Sequence, residues 1–337
     1  MTRPSILVTG GAGYIGSHVV LQLIAAGERV VVLDNLSTGF RDAVLGAPLV
    51  VGDTGDRELV ARVLTEHSVD TVMHFAARTI VPESVADPLR YYGNNTCASR
   101  NLLECCVAAG VAHFVFSSTA AVYGIPEGGR ASEDTPTRPI NPYGTSKLMT
   151  EWMLRDVAAA APLRYVALRY FNVAGSDVEG RIGQRTPNAT LLVKVAAEAA
   201  VGARREIAIF GTDYDTPDGT GVRDYIHVDD LAAAHLDALA YLRRAGASTV
   251  LNVGYGHGYS VREVLDTVAR VHGSPLPIVE KPRRAGDPPT LVADAGRIRE
   301  VLGWKPSRDD LELIARSALA WERKLRSEPS LAAGATA

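Results

Sequence analysis

The run Ile6-Leu7-Val8-Thr9-Gly10-Gly11-Ala12-Gly13-Tyr14-Ile15-Gly16 constrains the fold more than any other part of the chain. A short apolar segment enters a glycine cluster, and a helical pattern leaves it over residues 16–26. The glycines satisfy two overlapping spacings, Gly11-x-Gly13-x-x-Gly16 and Gly10-x-x-Gly13-x-x-Gly16. Either lets the backbone approach a pyrophosphate closely. The helix start behind it offers free N–H groups and a positive dipole end to phosphate. Glycines also make plain tight turns, so the strand–turn–helix context gives the pattern its meaning.

A second apolar segment, residues 29–33, ends in Asp34, 18 positions after Gly16. A carboxylate there accepts from both hydroxyls of an adenosine ribose and repels a 2′-phosphate, which favours NAD over NADP. With Asn35 it also suits a plain strand-end turn. Asp53, after a third segment at 49–51, is placed to reach an adenine, although Asp is a common turn residue as well.

Further apolar segments at 71–76, 113–117 and 165–169 alternate with helical patterns at 57–66, 88–109 and 143–160. Continuous apolar strands separated by helices mean βαβ units and a parallel sheet covered on both faces. After Asn172 the texture changes. Residues 175–187 are polar and glycine-rich; helices at 189–201 and 229–244, strands at 207–210 and 250–253, and two or three more helices follow. The expected class is α/β: a Rossmann-type doubly wound parallel sheet with a smaller α/β C-terminal substrate domain. The dinucleotide domain is expected at 1–174 with return segments near 222–254. The substrate domain is expected at 175–221 and 255–325, and a flexible tail at 326–337.

Composition narrows the partners. Net charge is −3 and no basic block occurs, so neither nucleic acid nor an anionic membrane surface is expected. No stretch approaches the roughly 20 apolar residues of a spanning helix. Residues 6–9 are too few for a signal peptide, so a cytoplasmic protein is expected. Cys97, Cys105 and Cys106 are odd in number and two are adjacent, which suits neither a disulfide framework nor a zinc site. They are expected in a packed helix in a reducing compartment, and no metal site is expected.

Tyr143-Gly144-Thr145-Ser146-Lys147 places Tyr and Lys on one helix face. Free tyrosine titrates near ~10 and is a poor base at neutral pH. A neighbouring ammonium, or a bound nicotinamide cation, stabilises the phenolate and lowers that value. The product is a base matched to deprotonating an alcohol while hydride leaves its carbon. The strand before it ends Phe116-Ser117-Ser118-Thr119. Thr119 is the hydroxyl expected to bond a substrate oxygen or relay its proton. Ser117 and Ser118 are expected to end the strand by bonding backbone groups.

Together with Thr9-Gly10-x-x-Gly13-x-x-Gly16 and Asp34-Asn35, the runs His74-Phe75-Ala76-Ala77, Val122-Tyr123-Gly124, Asn141-Pro142-Tyr143 and Lys147 resemble the extended short-chain dehydrogenase/reductases. Arg169-Tyr170-Phe171-Asn172, Ile209-Phe210-Gly211, Arg284-Ala285-Gly286-Asp287 and above all Gly219-Thr220-Gly221-Val222-Arg223-Asp224-Tyr225-Ile226-His227-Val228 are similar to the branch that inverts carbon 4 of a UDP-hexose. The resemblance implies NAD as cofactor, held by Gly10, Gly13, Tyr14, Ile15, Gly16, Asp34, Asn35, Asp53, Thr54, Phe75, Ala76, Ala77, Asn94, Tyr143, Lys147 and Tyr170. It implies a catalytic set of Tyr143, Lys147 and Thr119. For the substrate it implies Thr119, Tyr143, Asn172 on diphosphate or uridine, Leu192 on uracil, Arg223 and Arg284 on phosphate, and Asp287 on a ribose hydroxyl. A plainer role for the two arginines is a salt bridge, with Asp224 next to Arg223. A homodimer through the helices at 88–109 and 143–160 is also implied.

Three positions depart from the family pattern. Thr79, beside Arg78, stands where a lysine commonly reaches the nicotinamide ribose. Leu191 replaces a polar residue before Leu192, with Thr190 available in its place. Leu291 stands where the family's pattern places the residue that controls sugar-pocket size, and it is neither the large tyrosine nor the small cysteine or glycine seen there, which leaves UDP-N-acetylhexosamines and UDP-pentoses open. Ala120-Ala121 after Thr119 lack the Asp-Glu pair of the 4,6-dehydratases. A non-catalytic NAD-binding module is the alternative of a different class.

Overall fold

Each apolar segment in the first half of the chain is a strand of one parallel sheet. The strands are β1 (Ser5–Thr9), β2 (Val30–Asp34), β3 (Leu49–Val51), β4 (Val69–His74), β5 (His113–Ser117) and β6 (Arg164–Tyr170). A seventh, β7 (Thr249–Val253), returns from far along the chain, and the order is 7-6-5-4-1-2-3. Every neighbouring pair is parallel. This computed structural model describes residues 4–284, 287–328 and 331.

The alternation of side chains along a strand shows why these segments are apolar throughout. In β1, Ile6 and Val8 join one apolar cluster while Leu7 joins another. In β2, Val30 and Val32 part in the same way from Val31 and Leu33. Successive residues point to opposite faces, and helices cover both. From β1 the chain builds outward to β2 and β3 on one side and to β4 through β7 on the other. The order therefore reverses between β1 and β4, and a crevice opens there at the carboxyl ends of the strands.

Two helices aim at that crevice. Helix α1 (Tyr14–Ala25) begins directly after the glycine turn. Helix α2 (Pro142–Ala160) has Pro142 in its first turn, and the Asn141 side chain accepts from the Gly144 N–H at 2.9 Å. Both are strong start signals, a side-chain cap and a residue already locked in helical φ.

The helix expected over 88–109 is divided. It runs Pro88–Tyr91, then a π-turn at Tyr92–Cys97, then Ala98–Ala109. The cause is Asn95. Its side chain accepts from the Arg78 N–H and donates to the Arg78 carbonyl and the Ser146 hydroxyl. Those bonds draw the turn inward and widen it. Cys97 rides on this turn and is exposed, whereas Cys105 and Cys106 are buried in the helix as expected.

The remaining strands are short. Arg130–Ala131, Val222–Arg223, Tyr259–Ser260 and Thr290–Ala293 form a four-stranded sheet. Ile207–Phe210 pairs with Ile278–Lys281, and Asn172–Ala174 with Tyr225–His227. The buried Asp224 carboxylate ties these pieces together, accepting from the N–H groups of Tyr255, Gly256 and Ala293. Further helices of the described chain are Arg57–Glu66, Val81–Ala86, Leu192–Ala200, Val228–Arg243, Val261–His272, Gly296–Leu302 and Leu311–Ser327. Of the tail expected from residue 326, the first two residues belong to this last helix. Residues 329, 330 and 332–337 lie outside the described residues, as do Ala285 and Gly286. No helix among the described residues is long and apolar enough to cross a membrane.

Candidate active site

A cavity of about 1150 Å³ occupies the crevice. All the site residues named from the sequence line it except Lys147. At this size it exceeds the ~300–1,000 Å³ usual for one small ligand, as a cofactor and a substrate side by side require.

The glycine turn forms one end. Gly10 has φ +71°, in the left-handed region that a side chain rarely adopts. A Cβ there would lie 2.5 Å from the Ala76 nitrogen, and one on Gly16 would strike the Gly10 carbonyl. Gly13 caps α1 without a side-chain bond, so the first-turn N–H groups at Tyr14, Ile15 and Gly16 stand at the cavity wall. The Asp34 carboxylate accepts from Ala12 N–H at 3.0 Å and Leu36 N–H at 2.8 Å. Burial raises its pKa against the pull of those two bonds. Asp34 thus orders the turn and also lines the cavity. Asn35 donates to Asp53 at 3.0 Å, and both line the same wall with Thr54. Phe75, Ala76, Ala77 and Asn94 follow, the last presented by the π-turn.

At the centre stand Tyr143, Thr119 and Tyr170. Burial, with Tyr170 as a smaller contribution, holds the Tyr143 phenol well above the ordinary tyrosine value, and a hydrogen bond with Thr119 pulls the other way. The lowering expected from Lys147 is absent for a geometric reason. The Lys147 ammonium donates to the Ser117 carbonyl at 2.8 Å and lies 4.9 Å over the Phe116 ring, beneath the cavity rather than in its wall. Burial brings that ammonium down to about 7, with Glu151 opposing.

The two serines do not cap backbone groups as expected. The Ser117 hydroxyl pairs with the Tyr170 hydroxyl at 2.8 Å, and Ser118 donates to Glu151 at 2.5 Å. Glu151 sits on α2 one turn past Lys147. It also takes a fork from the Arg169 guanidinium, and Arg169 continues to Tyr123 and thence to Asn252. This buried chain locks the end of β5 to α2.

The far end of the cavity is cationic. Among the described residues, no carboxylate lies within ion-pair distance of Arg223. Its guanidinium donates only to the carbonyls of Val222 and Pro289. Burial lowers its pKa, the mark of a cation without its anion. The Arg223–Asp224 bridge weighed above is not made. Arg284 does pair with Asp287, at 3.1 Å, and lies 4.4 Å over the Phe210 ring. Asn172, Thr190, Leu191, Leu192 and Leu291 line this end. At the opposite wall Thr79 lines the cavity beside Arg78, whose guanidinium pairs with Glu83 at 3.1 Å.

Sequence reasoning missed Tyr214, Gln184 and Thr186, which also line the cavity. The Tyr214 hydroxyl is buried without a hydrogen-bond partner, an acceptor and donor left for a polar ligand. The run Gly211-Thr212-Asp213-Tyr214 reads as an ordinary turn, and nothing local marks its tyrosine.

Residues 6–254 match the model of the NAD dependent epimerase/dehydratase family. The chain is 61% identical over 323 residues to the UDP-glucose 4-epimerase of Azospirillum brasilense, covering 96% of this chain and 93% of that protein. A crystal structure of UDP-glucose 4-epimerase from Brucella ovis in complex with NAD superposes with a TM-score of 0.92 at 43% identity, over 94% of this chain and 98% of that one. The UDP-Glc/GlcNAc 4-epimerase of Campylobacter jejuni superposes with a TM-score of 0.84 at 49% identity, over 96% of this chain and all of that one.

Proposed function

This chain belongs to the NAD dependent epimerase/dehydratase family, and on that premise we propose that it is an isomerase interconverting UDP-glucose and UDP-galactose with NAD as cofactor. The observation that carries this reading is a single cavity with three kinds of lining. A glycine turn with exposed helix N–H groups meets a Tyr–Thr pair and then an unpaired arginine.

The residues fit NAD. The glycine turn leaves room for a pyrophosphate, Asp34 would accept from the adenosine ribose, and Tyr143 and Tyr170 would hold the nicotinamide end, with Lys147 beneath the cavity. NAD supplies the acceptor and later the donor of the hydride at carbon 4, so the sugar passes through a 4-keto form. Tyr143 takes the proton of the 4-hydroxyl, directly or through Thr119. A bound nicotinamide cation favours the phenolate that burial alone disfavours. Arg223, Arg284, Asp287, Asn172 and Leu192 hold the UDP portion, a strong grip on the handle and a loose one on the sugar. That imbalance lets the keto sugar turn and present its other face. The body holding NAD comprises residues 1–174 with 222–254, and the body holding the UDP-sugar comprises 175–221 with 255–325. Galactose metabolism is the process served. The three free cysteines suit the cytoplasm.

The protein works as a homodimer in this reading. Leu89 is 80% exposed, and Trp152 is exposed on α2, which packs beside the helix that carries Leu89. Such an apolar face marks an interface. The double variant Leu89→Arg, Trp152→Arg is expected to sediment as a monomer where the native protein sediments as a dimer. A native monomer removes this part of the reading.

The activity test is incubation with UDP-galactose and product chromatography. UDP-glucose at equilibrium is the expected product. No conversion with NAD present, but turnover of UDP-N-acetylgalactosamine or a UDP-pentose, reassigns the substrate and points to Leu191 and Leu291.

A further inference from the structure

One ion pair joins two segments that wall the adenosine end of the cavity, and neither partner is among the residues assigned above to cofactor or substrate. Arg185 lies between strand Asn172–Ala174 and helix Leu192–Ala200, and its side chain is only 5% exposed. Its guanidinium forks onto Asp42, at 2.6 and 3.0 Å. It also lies 3.9 Å over the Phe40 ring and donates to the Leu331 carbonyl at 2.6 Å. Phe40 and Asp42 follow the turn after Asp34, and the Phe40 N–H is bonded to the Ala12 carbonyl of the glycine turn at 3.0 Å. Alongside, Phe40, Ala43 and Ile182 form a small apolar cluster separate from the two that cover the sheet.

The neighbours of this pair line the cavity from both sides. Ser37 and Thr38 stand on the Asp42 side, Gln184 and Thr186 on the Arg185 side. Parting these walls must break the fork, the cation–π contact and the apolar cluster together. A planar guanidinium on a carboxylate and an aromatic face suits such a closure, since both contacts depend on orientation as well as charge.

We propose that Arg185 and Asp42 form a clasp that slows the release of NAD from the adenosine end of the cavity. The proposal rests on the reading of the cavity as an NAD and UDP-sugar site. A cofactor that is reduced and reoxidised within one turnover must outlast that turnover, and the clasp gives it a long residence.

The test uses the full chain loaded with NAD, freed of excess by rapid gel filtration, with released NAD assayed over time. Arg185→Ala and Asp42→Asn are each expected to speed release about tenfold or more, the effect of losing one charge-assisted fork. The double variant is expected to add little to either, because both remove the same contact. Arg185→Lys keeps the charge without the fork and is expected to fall between. Asp42 is half exposed, so Asp42→Asn keeps the test valid even where Arg185→Ala fails to fold. Release rates within twofold of the native protein in the folded variants overturn the clasp. A native protein that takes up no NAD overturns the cofactor reading and the clasp with it.

Discussion

Tyr143→Phe is expected to lower kcat for UDP-galactose by about 10²–10⁴-fold, the range seen when a positioned acid–base group is removed. The substitution deletes one oxygen and keeps the buried ring. The cavity wall, α2 and the Lys147 bond to Ser117 stay in place. KM and bound NAD should therefore change little, because uniform binding is untouched. Thr119 cannot replace the phenol, since an aliphatic hydroxyl gives up its proton far less readily than a phenol does. Steady-state kinetics with a count of bound NAD checks this. A kcat within tenfold of native, with NAD retained, would remove Tyr143 from the reaction.

Glu151→Ala carries the largest expected effect on stability. The carboxylate is buried and serves Ser118 and both arms of the Arg169 fork. Removing it strands a buried guanidinium, which costs roughly 3–5 kcal/mol. The Ser118 hydroxyl also loses its acceptor. Denaturant unfolding should show a lower midpoint at unchanged slope. Adding Arg169→Met should recover part of the loss, since the uncompensated charge goes too. A midpoint unchanged in the single variant would mean that the chain from Ser118 to Asn252 contributes nothing to holding β5 against α2.

The legible and illegible parts of this protein divide by sequence distance. The strand, glycine turn and helix from Ser5 to Ala25 are contiguous, so their spacing alone marked the glycine-turn end of the cavity. The same holds for Tyr143 and Thr119, each at the end of a regular element whose start signals are local. The family likeness added Arg223 and Asn172, which no periodicity marks. What stayed hidden depends on pairing across the fold. Strands as short as Val222–Arg223 and Arg130–Ala131 carry no period of their own. The π-turn at Tyr92–Cys97 exists because Asn95 meets Arg78, in the loop after β4, and Ser146 on α2. Lys147 was expected beside the phenol, but its chain length and the Ser117 carbonyl place its ammonium beneath the cavity. Arg185 and Asp42 are distant in sequence, and neither stands in a motif.

The central claim is that hydrogen leaves carbon 4 as hydride and returns to the same carbon without meeting solvent. UDP-galactose deuterated at carbon 4, converted in ordinary water and analysed by mass and proton spectra, tests it directly. Hydride transfer out and back predicts UDP-glucose that keeps the deuterium at carbon 4. Product carrying solvent hydrogen there would show removal as a proton, and the redox cycle through a 4-keto sugar would be wrong.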